Sequence, residues 1–364
     1  MIRPTVKWAL ATAVYCSGLL SVIERIRSRS TLSGSCIILM YHRVLPIDSD
    51  VSERPEWERC RSLPGILVSP KMFDAQMRFL ARKYKVISLD QLLRCLDSGN
   101  PLPPRSVVIT FDDGWRDNYV YAYPVLEKYN LPATIFLSTE FIGTNRIFWP
   151  ERVIKCLTDE GRFVRELLNG AGVLVPSVIG KLIGSIGETS AAHQSLVLDQ
   201  LIWEMKQLTP DVREALMKTL FSRAPKHGAA TSDVRVMLDW DEIAEMKAAG
   251  ITFGSHGISH ELLTMISPVQ RERELRGSKR AIEEQLGTKV DSLAYPNGNY
   301  DDEIKQLARQ TGYRCALAVT GAHVSRQSDR YALGRTNVHQ GNSLGIFGGF
   351  SKSLFAYHIQ MLLG

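Results

Sequence analysis

The sequence predicts an α/β fold organised around a parallel sheet, and two observations carry that prediction. Short, apolar, β-branched runs such as Cys36-Ile37-Ile38-Leu39-Met40-Tyr41 and Ser106-Val107-Val108-Ile109-Thr110-Phe111 are too brief for helices and read as strands buried on both faces. Helical stretches alternate with them, the order that a parallel sheet requires. The length of 364 residues exceeds the usual single domain but fits an α/β barrel carrying an insertion, and 45% apolar residues supply a large core. The net charge of +6 comes from 44 basic and 38 acidic residues that are intermixed along the chain. No basic stripe stands out, so no nucleic-acid partner is expected.

At the N-terminus, Trp8 to Ile23 is largely apolar, with Arg3 and Lys7 before it and Arg25, Arg27 and Arg29 after it. It lacks a small-x-small cleavage site in the right place, and a 16-residue helix would reach only about 24 Å of a bilayer core of roughly 30 Å. Trp8, Ala11, Tyr15, Leu19, Val22 and Ile26 share one stripe. Residues 1–29 are therefore expected to form an amphipathic helix lying on an anionic membrane surface, peripheral on the cytoplasmic face or the cell-envelope side. A helix packed on the domain itself is the alternative, ahead of a cleaved or spanning segment.

A polar linker, Ser30 to Ser35, leads to the strand Cys36–Tyr41, with His42 at its end. Next come a strand over Tyr84–Leu89, a helix over Asp90–Leu96 and the strand Ser106–Phe111. Between residues 150 and 232 the alternation lapses into a helical insertion, including Leu196–Gln207 and Asp211–Phe221, whose Leu201, Trp203, Leu208, Leu216 and Leu220 read as packing surface. Ala224 to Ala230 is the linker back. The pattern then resumes with a helix near Asp239–Ala249, the strand Ile251–Gly254, and a helix opened by Ser267-Pro268 and stopped at Gly287. Arg271-Glu272-Arg273-Glu274 inside that helix reads as a solvated face. A strand over Ser292–Tyr295, a helix over Asp301–Gln310 and a strand over Cys315–Val319 follow, so the catalytic domain spans residues 36–340 and residues 341–364 are a tail. The six cysteines (Cys16, Cys36, Cys60, Cys95, Cys156, Cys315) form no CxxC pair, so reduced, mostly buried thiols are expected.

The chemistry gathers at strand ends. Asp112 and Asp113 follow the strand Ser106–Phe111, and neighbouring side chains on a strand point to opposite faces. They reach one site only where the chain bends, and Gly114 permits a bend. Two acids crowded there repel one another unless a cation divides their duties, one ligating it and the other free as a base. An N-cap beside a solvated acid is the simpler reading of this segment alone. His256 and His260 end a second strand and, four apart, lie on one side of a helical turn or tight loop, as two imidazoles gripping one metal do.

Thr110-Phe111-Asp112-Asp113-Gly114 and Ser255-His256-Gly257-Ile258-Ser259-His260 resemble the first and second motifs of the polysaccharide deacetylases with the nodulation-protein-B fold, carbohydrate esterase family 4. Ala294-Tyr295-Pro296-Asn297-Gly298 looks like the third motif, and Leu131 to Leu137 like the strand after the first. The resemblance covers residues 36–150 and 235–340 and leaves the middle of the chain unmatched. It implies a distorted seven-stranded (β/α) barrel and one divalent metal ion, zinc first, with nickel, cobalt, iron or manganese as options. Asp113, His256 and His260 would hold the ion, and Asp112 would be the base. Tyr295, Pro296 and Asn297 would border the substrate and supply an oxyanion contact.

The chain departs from this family pattern in three places. Ala294 stands where the third motif has the arginine that orients the base, and Asn297 stands for its tyrosine. Arg335 is the candidate replacement for that arginine, weighed against an ordinary ion-pair arginine. The Leu-x-His motif that carries the proton donor is missing, and His42 takes that role by its resemblance to the N-terminal Tyr-His of the poly-N-acetylglucosamine deacetylases, with His339 and His323 as rivals. The expected function is a metal-dependent hydrolase that removes N-acetyl groups from an N-acetylated glycan, in a polymer or lipid-linked, and releases acetate. A carbohydrate O-acetyl esterase and a non-catalytic glycan-binding module are the alternatives. A non-haem iron oxygenase is disfavoured because Ile258 sits where its acid belongs.

Overall fold

The apolar runs become staves of one parallel sheet. This computed structural model describes residues 4–17, 34–47, 62–159, 176–186, 191–221, 234–321 and 323–360. Its strands are β1 (Cys36–Tyr41), β2 (Arg43–Val44), β3 (Leu67–Val68), β4 (Lys85–Val86), β5 (Ser106–Phe111), β6 (Ala133–Leu137), β7 (Thr252–Ser255), β8 (Ser292–Ala294), β9 (Cys315–Ala318), β10 (Leu333–Gly334) and β11 (Thr336–Asn337). The helices are α1 (Pro4–Cys16), α2 (Pro70–Lys83), α3 (Leu89–Ser98), α4 (Tyr123–Lys128), α5 (Trp149–Asp159), α6 (Ser177–Ser185), α7 (Ala191–Lys206), α8 (Pro210–Phe221), α9 (Trp240–Ala248), α10 (Pro268–Leu286), α11 (Asp302–Gln310) and α12 (Lys352–Gln360).

Across the main sheet the order is β10-β9-β8-β7-β6-β5-β1-β11, with β4 beside β5 and every pairing parallel. The two ends of this path, β10 and β11, are neighbours in sequence with only Arg335 between them. Gly334 pairs with Ala318 on β9, and Thr336 pairs with Leu39 on β1, so one split stave closes the sheet. Counting β10 and β11 as one, the described residues form seven staves, the distorted barrel expected from the motifs. β1 and β5 are buried along their whole length, as their unbroken apolar sequences require.

Two elements differ from expectation at their ends. β4 stops at Val86 instead of running to Leu89, because Ser88 turns the chain and its hydroxyl accepts from Gln91 N at 3.0 Å to cap α3. Residues 352–360 of the expected tail form α12, whose Phe355 and Ile359 lie in the barrel core.

The insertion builds a core of its own from Val153, Leu157, Ile183, Leu201, Leu216 and Leu220. Trp203, assigned to packing by its spacing, is instead 55% exposed. The insertion is tied to the barrel where Arg213 Nη2 meets both carboxylate oxygens of Glu261 at 2.6 Å. The Ala224–Ala230 linker lies outside the described residues.

At the N-terminus, α1 packs against α12, with Ala11 buried and Thr12 Oγ1 at 3.0 Å from Ser353 Oγ. This is the packed-helix alternative, so the apolar stripe, where it is described, faces the domain. The outward positions Ala9, Leu10 and Ala13 are small or apolar. Residues 18–29 and most of the following linker lie outside the described residues, and no described helix is long and apolar enough to cross a membrane.

Candidate active site

The two acids are separated by backbone geometry. Asp112 continues β5, its N–H donating to Tyr41 O at 3.0 Å. Asp113 then adopts φ +78° and Gly114 φ +84°. The bend therefore begins at Asp113 itself, one residue before the glycine that the sequence singled out. A left-handed non-glycine residue costs on the order of 1–3 kcal/mol and persists where its surroundings hold it. Here Trp115 Nε1 donates to Asp113 Oδ2 at 2.8 Å. At Gly114 a side chain would also collide with Ile142, whose Cδ1 would lie 2.8 Å from a Cβ.

The other oxygen, Asp113 Oδ1, is buried without a hydrogen-bond donor among the described residues. It faces His256 Nε2 at 3.5 Å and His260 Nε2 at 3.3 Å. His256 is fixed from both sides, since its backbone N–H donates to Leu137 O and its Nδ1 lies 2.8 Å from Ala294 O. A carbonyl only accepts, so Nδ1 carries the proton and Nε2 presents its lone pair. Burial pushes the His256 imidazole down to about 4, against the pull of Asp112, and keeps it neutral. Burial would raise the Asp113 carboxyl, but the neighbouring imidazoles outweigh it and hold the group well below its ordinary range.

The loop that carries His260 is held by a residue the sequence reading placed in solvent. Glu274, on α10, is buried, and its carboxylate accepts from Ile258 N at 2.6 Å, Ser259 N at 3.0 Å and Ser259 Oγ at 2.6 Å. The assignment of Arg271–Glu274 to a solvated face therefore fails at Glu274. The missed signal was spacing, because Glu274, Ser278 and Ile282 are four apart and share the buried face of α10.

Arg335 forms a fork on Asp112, with Nη1 at 2.6 Å from Oδ1 and Nη2 at 2.8 Å from Oδ2. Both side chains are almost wholly buried. Burial raises the Asp112 carboxyl, but the guanidinium and His256 outweigh it and hold the group below its ordinary range. Asp112 is thereby ionised and oriented at neutral pH.

A cavity of about 180 Å³ opens onto these groups, lined by Asp112, Asp113, His256, His260, His42 and Asn297 among others. His42 is half-buried, and its buried Nδ1 has no hydrogen-bond partner among the described residues. Burial draws its pKa down, against the raising effect of Asp113 and Asp112. Tyr295 is not part of the cavity wall, contrary to its expected place beside the substrate, because its hydroxyl donates to Tyr331 O at 2.9 Å and its ring stacks on Tyr300. Pro296 is also absent from the wall. Neither rival histidine reaches the cavity: His339 caps the turn at Gln340–Asn342, and His323 is likewise not among the lining residues.

Several cavity residues carried no sequence signal. Glu151 and Lys206 reach the wall from the helical insertion, and Lys206 Nζ meets Asn297 Oδ1 at 2.7 Å. Beneath the cavity, Arg43 pairs with Asp117 at 2.9 Å and stacks on Trp115, the donor to Asp113. Asn118 Nδ2 donates to His42 O at 2.8 Å, fixing the backbone at that histidine.

The donor set fits a divalent cation. Asp113, His256 and His260 each offer one ligand atom, and these atoms lie within 4.8 Å of one another. An ionised carboxylate oxygen that lacks a donor among the described residues, beside the lone pair of His256 and the ring nitrogen of His260, is the donor set of a zinc-like centre with room for a further ligand.

Comparison with known proteins identifies the family. The sequence profile of the family described as Polysaccharide deacetylase matches residues 99–166 and 203–316. YxkH of Bacillus subtilis, named as a polysaccharide deacetylase, is 24% identical over 318 residues, covering 87% of this chain and 76% of that protein. The poly-beta-1,6-N-acetyl-D-glucosamine N-deacetylase of Staphylococcus epidermidis is 34% identical over 112 residues, which span 30% of this chain and 38% of that enzyme. Among solved structures, the Streptococcus pyogenes deacetylase PplD, in complex with acetate, superposes with a TM-score of 0.55 at 20% identity, covering 89% of this chain and 98% of that one. IcaB from Ammonifex degensii superposes with a TM-score of 0.50 at 18% identity, covering 84% and 91% respectively. These two likenesses support the fold, and the profile, covering half of the chain, establishes that it belongs to the polysaccharide deacetylase family, a family of hydrolases.

Proposed function

We propose that the chain is a metal-dependent N-deacetylase that removes acetyl groups from N-acetylated sugars of a polysaccharide or lipid-linked glycan. The observation that carries this reading is the division between adjacent acids: Asp113 converges with two histidines, while Asp112 is held apart by Arg335. Asp113, His256 and His260 would hold the ion. When bound, the ion polarises the acyl carbonyl and makes water acidic enough to attack near neutral pH.

The remaining roles belong to the chain. Asp112, ionised and aligned by Arg335, takes the proton of the attacking water. The developing oxyanion needs a donor, and the backbone around the third motif narrows the choice. Tyr295 N–H is committed to Leu317 O, Gly298 N–H to Tyr295 O and Asn299 N–H to Pro296 O, while Pro296 has no N–H. Asn297 N–H is left for the oxyanion. His42 gives a proton to the departing amine, and an imidazole drawn below its ordinary pKa is the stronger acid once protonated. Purified protein incubated with N-acetylglucosamine oligomers is expected to release acetate, to stop when stripped by chelator and to recover with added zinc. Undiminished release after complete stripping would overturn the metal-dependent reading.

A further inference from the structure

We propose that Glu151 is a substrate-binding residue, through which the helical insertion reads a hydroxyl of the sugar being deacetylated. Glu151 sits in the first turn of α5 and is 6% exposed, and it lines the same cavity as the metal-ligand triad and His42. The mechanism above makes no use of it. Ser62 Oγ, at 3.2 Å from Oε1, is its side-chain hydrogen-bond partner among the described residues, and Ser62 in turn accepts from Arg43 Nη1 at 2.8 Å. Arg43 forms an ion pair with Asp117, and among the described residues no opposite charge forms an ion pair with Glu151.

A buried carboxyl in that position carries a cost unless it is neutral or engaged by a partner. Burial pushes it up to about 7, Arg43 opposing and Asp113 reinforcing the rise. A carboxyl that holds its proton both donates and accepts, as a sugar hydroxyl does, so the two are matched in a way that a carboxylate and an acetyl group are not. The neighbouring wall belongs to the same insertion: Pro150 and Ile202 are apolar, and Lys206 reaches Asn297 at the turn beside the reacting group. The insertion thus closes the sugar side of a cavity whose other side is the barrel chemistry.

This inference deepens the deacetylase reading and rests on it for the identity of the sugar, so the test separates the two. Glu151→Gln keeps a neutral group that donates and accepts, whereas Glu151→Ala removes it. With N-acetylglucosamine oligomers as substrate, Glu151→Ala is expected to raise KM about tenfold, the effect of one lost hydrogen bond in a dry site, with kcat within about twofold. Glu151→Gln should restore KM to within about threefold of the parent protein. Metal content and melting temperature of both variants establish that site and fold are intact. An unchanged KM in a folded, metal-loaded Glu151→Ala protein overturns the proposal. So does a kcat loss in Glu151→Gln at unchanged KM, which would make Glu151 a proton-transfer group. Calorimetric titration of the chelator-treated protein with the same oligomers supplies a readout free of catalysis. If the parent protein releases no acetate yet binds the oligomers in a Glu151-dependent manner, the deacetylase reading fails and the binding role stands.

Discussion

Asp112 and Arg335 show how one buried pair sets the chemistry. Replacing Arg335 with alanine leaves a buried carboxylate uncompensated, at a cost of about 3–5 kcal/mol. The Asp112 pKa then rises, so the acid limb of the rate profile should move to higher pH, which initial rates at graded pH will show. Arg335→Lys keeps the charge but loses the fork, and should restore stability better than rate. Glu151 makes an opposite linkage. Its folded pKa of about 7 lies above its unfolded value, so the protein gains stability from its proton below about pH 4.5 and loses that gain as pH rises through about 7. Glu151→Gln should therefore flatten the decline of melting temperature between pH 5 and 8, a difference on the order of 1–3 kcal/mol at the upper end. An identical decline in the variant would show that Glu151 titrates normally. None of this was legible from Glu151, which stands in an insertion without motif or period. Arg335 stood out only because the third motif lacked its arginine.

The elements that position the site were readable to different degrees. β1 and β5 fall where the apolar runs begin and end, because a strand buried on both faces leaves no polar position to blur its limits. α10 also starts at its Ser-Pro signal and stops at Gly287, which takes φ +62°. What the pattern hid was direction: Glu274 looked like one charge among four, although it holds the His260 loop from the inner face of its helix. Glu274→Ala should weaken zinc affinity about tenfold with little change in fold, as loss of a support behind metal ligands does, and a competitive chelator titration measures this. The described part of the N-terminal helix hid its packing partner for a related reason. An apolar stripe specifies a greasy partner, not which one, and α12 supplied it from about 340 residues away in sequence. Deleting residues 1–17 uncovers the side of α12 on which α1 packs, so the melting temperature should fall while acetate release by the surviving folded protein is retained.

At the scale of the whole molecule, closure and catalysis share a residue. The sheet shuts where β10 passes into β11, and Arg335 at that seam is the partner of Asp112, so the proposed base is aligned only when the barrel is complete. The strand-end motifs revealed the barrel, but two-residue staves carry no periodic signal, and the seam itself was invisible in the sequence. The insertion adds the substrate side of the cavity, and its lack of resemblance to the motifs left that half unread. The central claim is that neighbouring acids hold different jobs, and zinc content measured with acetate release from N-acetylglucosamine oligomers tests it most directly. Asp112→Asn should keep about one zinc per chain and lose at least about 100-fold in rate, whereas Asp113→Asn should lose both. An Asp112→Asn protein that sheds its zinc, or one that keeps both zinc and full rate, would contradict the account.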